Sequence, residues 1–243
     1  MIDGMGRTAT FGGRPRRSGV VTDDPRADIL AVAADLFAAE GFSATSMTGI
    51  ARAAGLRQSS LYYWFRSKDD ILRAIMDQNR VSLAAARRLA GGTGPAAVRL
   101  YIVLYRDVVQ MCSAPLNFYD LEEAAKQQPA VFSGFQEDYE ELFNGLTSIV
   151  EDGVASGELR NDVPVAEFVR AALSLNEGSQ HRFHVSGPHR SDIHEYAAAA
   201  ASLSVRAALA DADALASVRE EAKAGIGGVR AVVDTADAGI ARE

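Results

Sequence analysis

The stretch SMTGIARAAGLRQSSLYYWFRSK, from Ser46 to Lys68, holds two short apolar patterns of helical spacing with Gly55 between them. Ser46 is of the type that caps a helix N-terminus, and Ile50, Ala51 and Ala54 then share one face. Gly55 can take the left-handed conformation that a tight turn between helices needs. A second helix follows over roughly 58–65. At about 100° per residue, Leu61, Trp64 and Phe65 fall on one arc and Ser59, Tyr62 and Tyr63 on the opposite one. The first arc is apolar enough to bury, and the second offers hydroxyls and aromatic edges. One buried side with small polar and phenolic groups opposite is what reading a DNA major groove requires.

The flanks extend the pattern. Asp24 can cap a preceding helix, Pro25 suits its first position, and Asp28 lies in the first turn, where the dipole favours a carboxylate. Ile29, Ala33, Leu36 and Phe37 form its inward stripe, and Gly41 ends it. The run ILAVAADLFAAEGFSATSMTGIARAAGLRQSSLYYWFRSKDDIL resembles the N-terminal domain of the TetR family of bacterial transcriptional regulators over about residues 26–75, most specifically in LYYWF followed by SKDDIL. The resemblance implies an all-α protein: a three-helix helix-turn-helix head, then a larger helical body for ligand binding and dimerisation.

It also implies roles for individual residues. Ser46 touches a DNA phosphate as well as capping; Gln58 and Ser59 approach base edges; Tyr62 packs against a base edge or thymine methyl; Tyr63 bonds a phosphate. Thr48, Arg57 and Ser60 complete the DNA-facing set with Lys68, which projects towards the backbone from the start of the fourth helix, behind the cap Ser67. Arg52, one turn beyond Thr48, also faces outward. Two departures from the family pattern stand out. Gly49 occupies the place of the Glu or Gln of a capping box, at about 1 kcal/mol in helix propensity. Trp64 replaces a histidine, either plugging the core, which its arc favours, or donating its indole N–H to a phosphate.

Charge is segregated along the chain. The net charge of −7 argues against binding nucleic acid over the whole surface, yet 57–68 carries Arg57, Arg66 and Lys68 with no acid. Residues 137–167 are acidic, with Arg160 their lone cation. With 48% hydrophobic residues, no membrane-length apolar run and no apolar signal core, the 243-residue chain reads as cytoplasmic. The single cysteine, Cys112, excludes an internal disulfide and reads as a core thiol. Lysine is confined to three positions while arginine abounds, so single arginines carry little signal.

The expected division is a flexible basic arm (1–22), the head (23–68), a helical body (69–210) and a C-terminal extension (211–243) without an assigned role. The arm, with Arg7, Arg14, Arg16 and Arg17, is either a leader or a minor-groove tracker. The fourth helix is expected to run unbroken from Asp69 to about Leu89, coupling head and body rigidly. Further helices are expected over about 95–112, briefly around Leu116–Leu121, from Pro129, from Pro164 to His184 and from Ser191 to Ala210. The small residues of AAAAASLSVRAALA suit close helix approach; the resemblance implies a four-helix dimer interface there, and a palindromic site asks for two-fold symmetry.

Body aromatics are packing residues first. A subset, Tyr101, Tyr105, Phe118, Phe135 and Tyr139, is expected to line an apolar site for a small-molecule effector of apolar or aromatic character. Asn176 and Gln180, one turn apart in an apolar helix, either orient that ligand or bridge two subunits. No cofactor and no metal site is expected. His181, His184, His189 and His194 cluster in sequence, but a loop with Gly187 and Pro188 separates them and no cysteine joins. No nucleophile–base–orienter set, phosphate-cradling loop or dinucleotide fingerprint is present, so the expected function is a repressor, not an enzyme. The alternatives are a helical ligand or metal carrier and an architectural DNA protein without an effector; the salt dependence of operator binding separates them.

Overall fold

In the computed structural model, residues 24–77, 80–113, 133–185 and 193–226 are described, with isolated positions at 119, 126 and 129. Among them the chain is helical: α1 Pro25–Glu40, α2 Met47–Ala53, α3 Gln58–Trp64, α4 Lys68–Asp77, α5 Val81–Ala90, α6 Ala96–Ser113, α7 Ser133–Ser156, α8 Val165–Val185, α9 Ile193–Ala208 and α10 over 215–226. The arm over 1–22, Phe118 and the short helix expected around it, and His189 all lie outside the described residues.

Local chemistry sets the head's helix ends. The Asp24 carboxylate accepts from Arg26 N–H at 2.9 Å and Ala27 N–H at 3.0 Å, with Pro25 at the first helical position. The Ser46 hydroxyl accepts from Gly49 N–H at 3.1 Å, and Ser67 does the same for Asp70 at 3.1 Å. Gly55, at φ 66°, makes the turn between α2 and α3 without the clash a side chain would meet. Ile29, Ala33 and Phe37 of α1, Ile50 and Ala51 of α2, Leu61 and Phe65 around α3, and Ile71, Leu72 and Ile75 of α4 close one core.

Two expectations about the fourth helix change. It is not continuous: α4 ends at Asp77 and α5 starts at Val81, with Arg80 before it at φ −116°, ψ 24°. And α4 packs into the head, so the head's core reaches Ile75, beyond the expected boundary at 68. The physical reason is register: Ile71, Leu72 and Ile75 face α1, whereas Leu83 and Ala86 of α5 face α6 and α7.

The body is arranged around α6, which packs against α5, α7, α8 and α9 and is buried almost all round. Gly153 lets α7 close on the following turn, since a Cβ there would stand 2.5 Å from Leu159. Two arginines for which the sequence suggested no task are helix caps in the interior. Arg99 donates to the Leu89 and Ala90 carbonyls at the end of α5, at 2.9 and 3.3 Å, and pairs with Asp152 at 3.0 Å. Arg106 donates to the Gly225 carbonyl near the end of α10 at 2.7 Å. That helix buries Val218 and Ala222 in the body's core, so the first half of the expected C-terminal extension is structural. The acidic run over 137–167 is likewise not only a solvated face: Asp138, Glu141 and Asp152 pair with Arg80, Arg87 and Arg99.

Candidate nucleic-acid interface

Helix α3 is seven residues long and is held by two apolar anchors, Leu61 at 0% exposure and Phe65 at 5%. Each such side chain contributes about 2 kcal/mol by burial, enough to order a helix too short to form alone. What the anchors leave outside is the DNA-facing set. Gln58, Ser59 and Ser60 are exposed, Tyr62 is 46% and Tyr63 81% exposed, and Arg57 lies exposed at the helix entrance. Ser46, Thr48 and Arg52 of the neighbouring α2 segment are exposed as well, as is Arg66 after α3. Turn and core therefore present hydroxyls, phenols and cations together, with no carboxylate between Arg52 and Arg66.

Trp64 and Lys68 depart from expectation. Trp64 does not plug the core; it is 41% exposed, its ring edge-on to Tyr63 at 5.4 Å. Helix α3 stops at Trp64 and the backbone turns extended at Phe65 (φ −138°, ψ 128°), which sends Phe65 inward and leaves Trp64 outside. Lys68 does not reach out to a phosphate. Its ammonium donates to the carbonyls of Phe42 at 2.5 Å, Thr45 at 3.0 Å and Ser43 at 3.3 Å, and sits 4.4 Å from the Phe42 ring centroid. It is a tie between α4 and the α1–α2 loop. The Thr45 hydroxyl, buried and unnoticed in the sequence, closes the same loop by donating to Gly41 O at 2.9 Å.

The effector candidates do not form one cluster. Tyr101 is buried in the body's core; Tyr105 stacks on Tyr101 and joins its hydroxyl to His194 Nδ1 at 2.7 Å. Phe135 packs on the head's core instead of lining the body. Tyr139 donates to Glu177 at 3.3 Å. Asn176 and Gln180 are buried and point at α6 of their own chain, donating to Leu104 O and Asp107 and to Met111 O respectively, which removes the subunit-bridging reading. Their partner Asp107 was not singled out in the sequence, although an acid inside the apolar run Tyr101–Cys112 is a visible signal. Burial pushes its carboxyl up to about 6, against the opposing pull of hydrogen bonds from Asn176 and Ser82. Burial, with the Asp107 charge nearby, likewise pushes the Cys112 thiol up to about 12, which suits a core thiol. Among the described residues no three histidine, cysteine or acidic side chains converge as metal ligands, and no helix is long and apolar enough to cross a membrane.

Comparison with known proteins points the same way as the geometry. A model of bacterial regulatory proteins, tetR family, matches residues 29–75. The chain is 29% identical over 149 residues to the HTH-type transcriptional repressor KstR2 of Rhodococcus jostii, spanning 58% of this chain and 70% of that protein. It superposes on the crystal structure of Mycobacterium smegmatis AmtR with a TM-score of 0.66 at 27% identity, over 88% of this chain and 98% of that one. For the TetR family regulator PfmR of Thermus thermophilus the TM-score is 0.63 at 27% identity, over 73% and 97%. The matched stretch runs from the first buried residue of α1, Ile29, to the last of α4, Ile75, so the whole core of the head is similar to that of the tetR family of bacterial regulatory proteins.

Proposed function

We propose that the chain is a cytoplasmic, homodimeric transcriptional repressor that grips a palindromic operator with two copies of α3 and releases it when a small molecule occupies the helical body. The observation that carries the reading is the exposure of Tyr62 and Tyr63 on a helix whose other side is anchored by Leu61 and Phe65. Gln58, Ser59, Ser60 and Tyr62 are assigned to base edges, and Ser46, Thr48, Arg52, Arg57 and Tyr63 to phosphates. Dimerisation is supported by the outward face of α9, where Ala199, Leu203 and Arg206 follow helical spacing and Leu203 is 61% exposed. Release is population shift: the effector moves the equilibrium only as far as its affinities for the two conformers differ.

Selection of bound sequences from a random duplex pool tests this directly. The expected product is an inverted repeat with half-sites about one helical turn apart or a multiple of it. Recovery of no motif, or of a single unrepeated site bound by monomers, rejects the reading.

A further inference from the structure

Asp107 lies midway along α6, 4% exposed, and no cation among the described residues pairs with it. Its carboxylate accepts from Asn176 Nδ2 at 3.0 Å and from the Ser82 hydroxyl. Asn176, fully buried, uses its amide hydrogens on that carboxylate and on the Leu104 carbonyl at 3.2 Å, which leaves its Oδ1 with no donor. A carboxylate offers about four acceptor sites, so Asp107 also has lone pairs to spare. The surrounding polar groups do not fill the deficit: Gln110 Oε1 is itself an acceptor, taken by the Ser82 N–H at 2.7 Å, and the Gln180 amide donates to Met111 O at 3.3 Å. What results is a buried pair of acceptors between α6 and α8, the Asp107 carboxylate with its negative charge and the orphaned Asn176 Oδ1.

We infer that the effector site, on which the proposed function rests, takes a small amine with an apolar body, its ammonium donating to Asp107 and to Asn176 Oδ1. An ammonium has three donors, no acceptor and the positive charge that would pair with Asp107. An alcohol supplies a donor without the charge, a carboxylate brings only more acceptors, and a buried water satisfies the orphan oxygen but leaves the carboxylate unpaired. Asp107 is also linked through α5 towards the head. Ser82 is the second residue of α5, and both its hydroxyl and its N–H are tied to α6 beside Asp107. An ammonium competing for Asp107 weakens that tie at the end of α5 next to α4.

The test uses the full chain and two matched sets of probes: phenethylamine, phenethyl alcohol and hydrocinnamate, then hexylamine, hexanol and hexanoate. Thermal shift and operator affinity are read for each at up to about 10 mM. The amines are expected to raise Tm more than the alcohols, and the acids not at all. Asp107→Asn, which keeps the shape and the bond from Asn176, abolishes the amine shift. Ser82→Ala, which frees one acceptor site, enlarges it and serves if Asp107→Asn folds poorly. Equal shifts from the three head groups, an amine shift that survives Asp107→Asn, or no shift from either amine overturns the assignment. An Asp107-dependent shift that leaves operator affinity unchanged keeps the amine site and overturns the release reading instead.

Discussion

The Arg80 guanidinium, one residue ahead of α5, lies 2.8 Å from the Asp138 carboxylate near the start of α7 and 3.2 Å from Asp77 at the end of α4. Beside it, Phe135 of α7 packs on the head's core. The break between α4 and α5 is thus clamped to the body by a charge and an aromatic ring, and α7 is a second route, besides α5, by which the body bears on the reading helix.

Phe135→Ala should therefore weaken the head more than the body. For a half-buried ring the expected loss is about 1–2 kcal/mol, below the range for fully buried phenylalanines. Trp64 is the only tryptophan and lies in the head, so urea unfolding followed by its emission reports the head, and far-ultraviolet dichroism reports the whole chain. A shift in the dichroism curve alone would contradict the clamp. Arg80→Ala should change stability by less than about 1 kcal/mol, since its side chain is 48% exposed.

Lys68→Met separates a tie from a phosphate contact. A phosphate contact predicts a salt slope reduced by about one per subunit. The geometry predicts an unchanged slope, because the ammonium is engaged with the Phe42, Ser43 and Thr45 carbonyls. The substitution should instead lower head stability by about 1.5–3 kcal/mol, the range for hydrogen bonds to a charged group. Denaturant unfolding and operator titration over a range of salt, on one preparation, distinguish the two.

Tyr63→Phe removes one hydroxyl from a ring that is 81% exposed. Stability should stay within about 0.5 kcal/mol of the parent. Operator affinity should fall by a factor of about 5, the equivalent of about 1 kcal/mol for one hydrogen bond. Affinity equal to the parent's would take Tyr63 off the phosphate list.

Asp107 makes stability depend on pH in an unusual direction for a carboxylate. Its native pKa is raised to about 6 from 3.8, chiefly by burial, so between those values the folded form holds a proton that the unfolded form has lost. Stability attributable to this group falls as pH rises through that window, by on the order of 3 kcal/mol at most. Asp107→Asn should flatten the change in urea midpoint between pH 5 and 8 and raise the midpoint at pH 8. A parent midpoint that rises across that range by as much as the variant's would refute the assignment.

The parts of the head that were legible in the sequence are those made by neighbours in the chain. The Asp24, Ser46 and Ser67 caps and the Gly55 turn each close within about a turn of helix, and the outward set on α3 follows from two anchors four residues apart. What escaped depends on partners far away. Lys68 is fixed by carbonyls 23 to 26 residues back, Asp107 by a residue 69 positions on, and Arg106 by one 119 positions on. No periodicity encodes such pairings. The break before Val81 leaves no local signal for a subtler reason: both halves are good helix, and only the change of packing partner shows that they are two elements. Trp64 lies outside the core its arc indicates because an arc drawn on an ideal helix ignores where the helix stops.

The docking of α10 bears on how this protein can be shortened. A truncation after Ala210, the expected end of the body, would uncover Val218's seat in the interior, strip the cover from Ile102 and leave the Arg106 guanidinium without its carbonyl. The turns of α10 are a keystone of the body, so trimming the chain back to 1–210 would discard part of what keeps the rest upright.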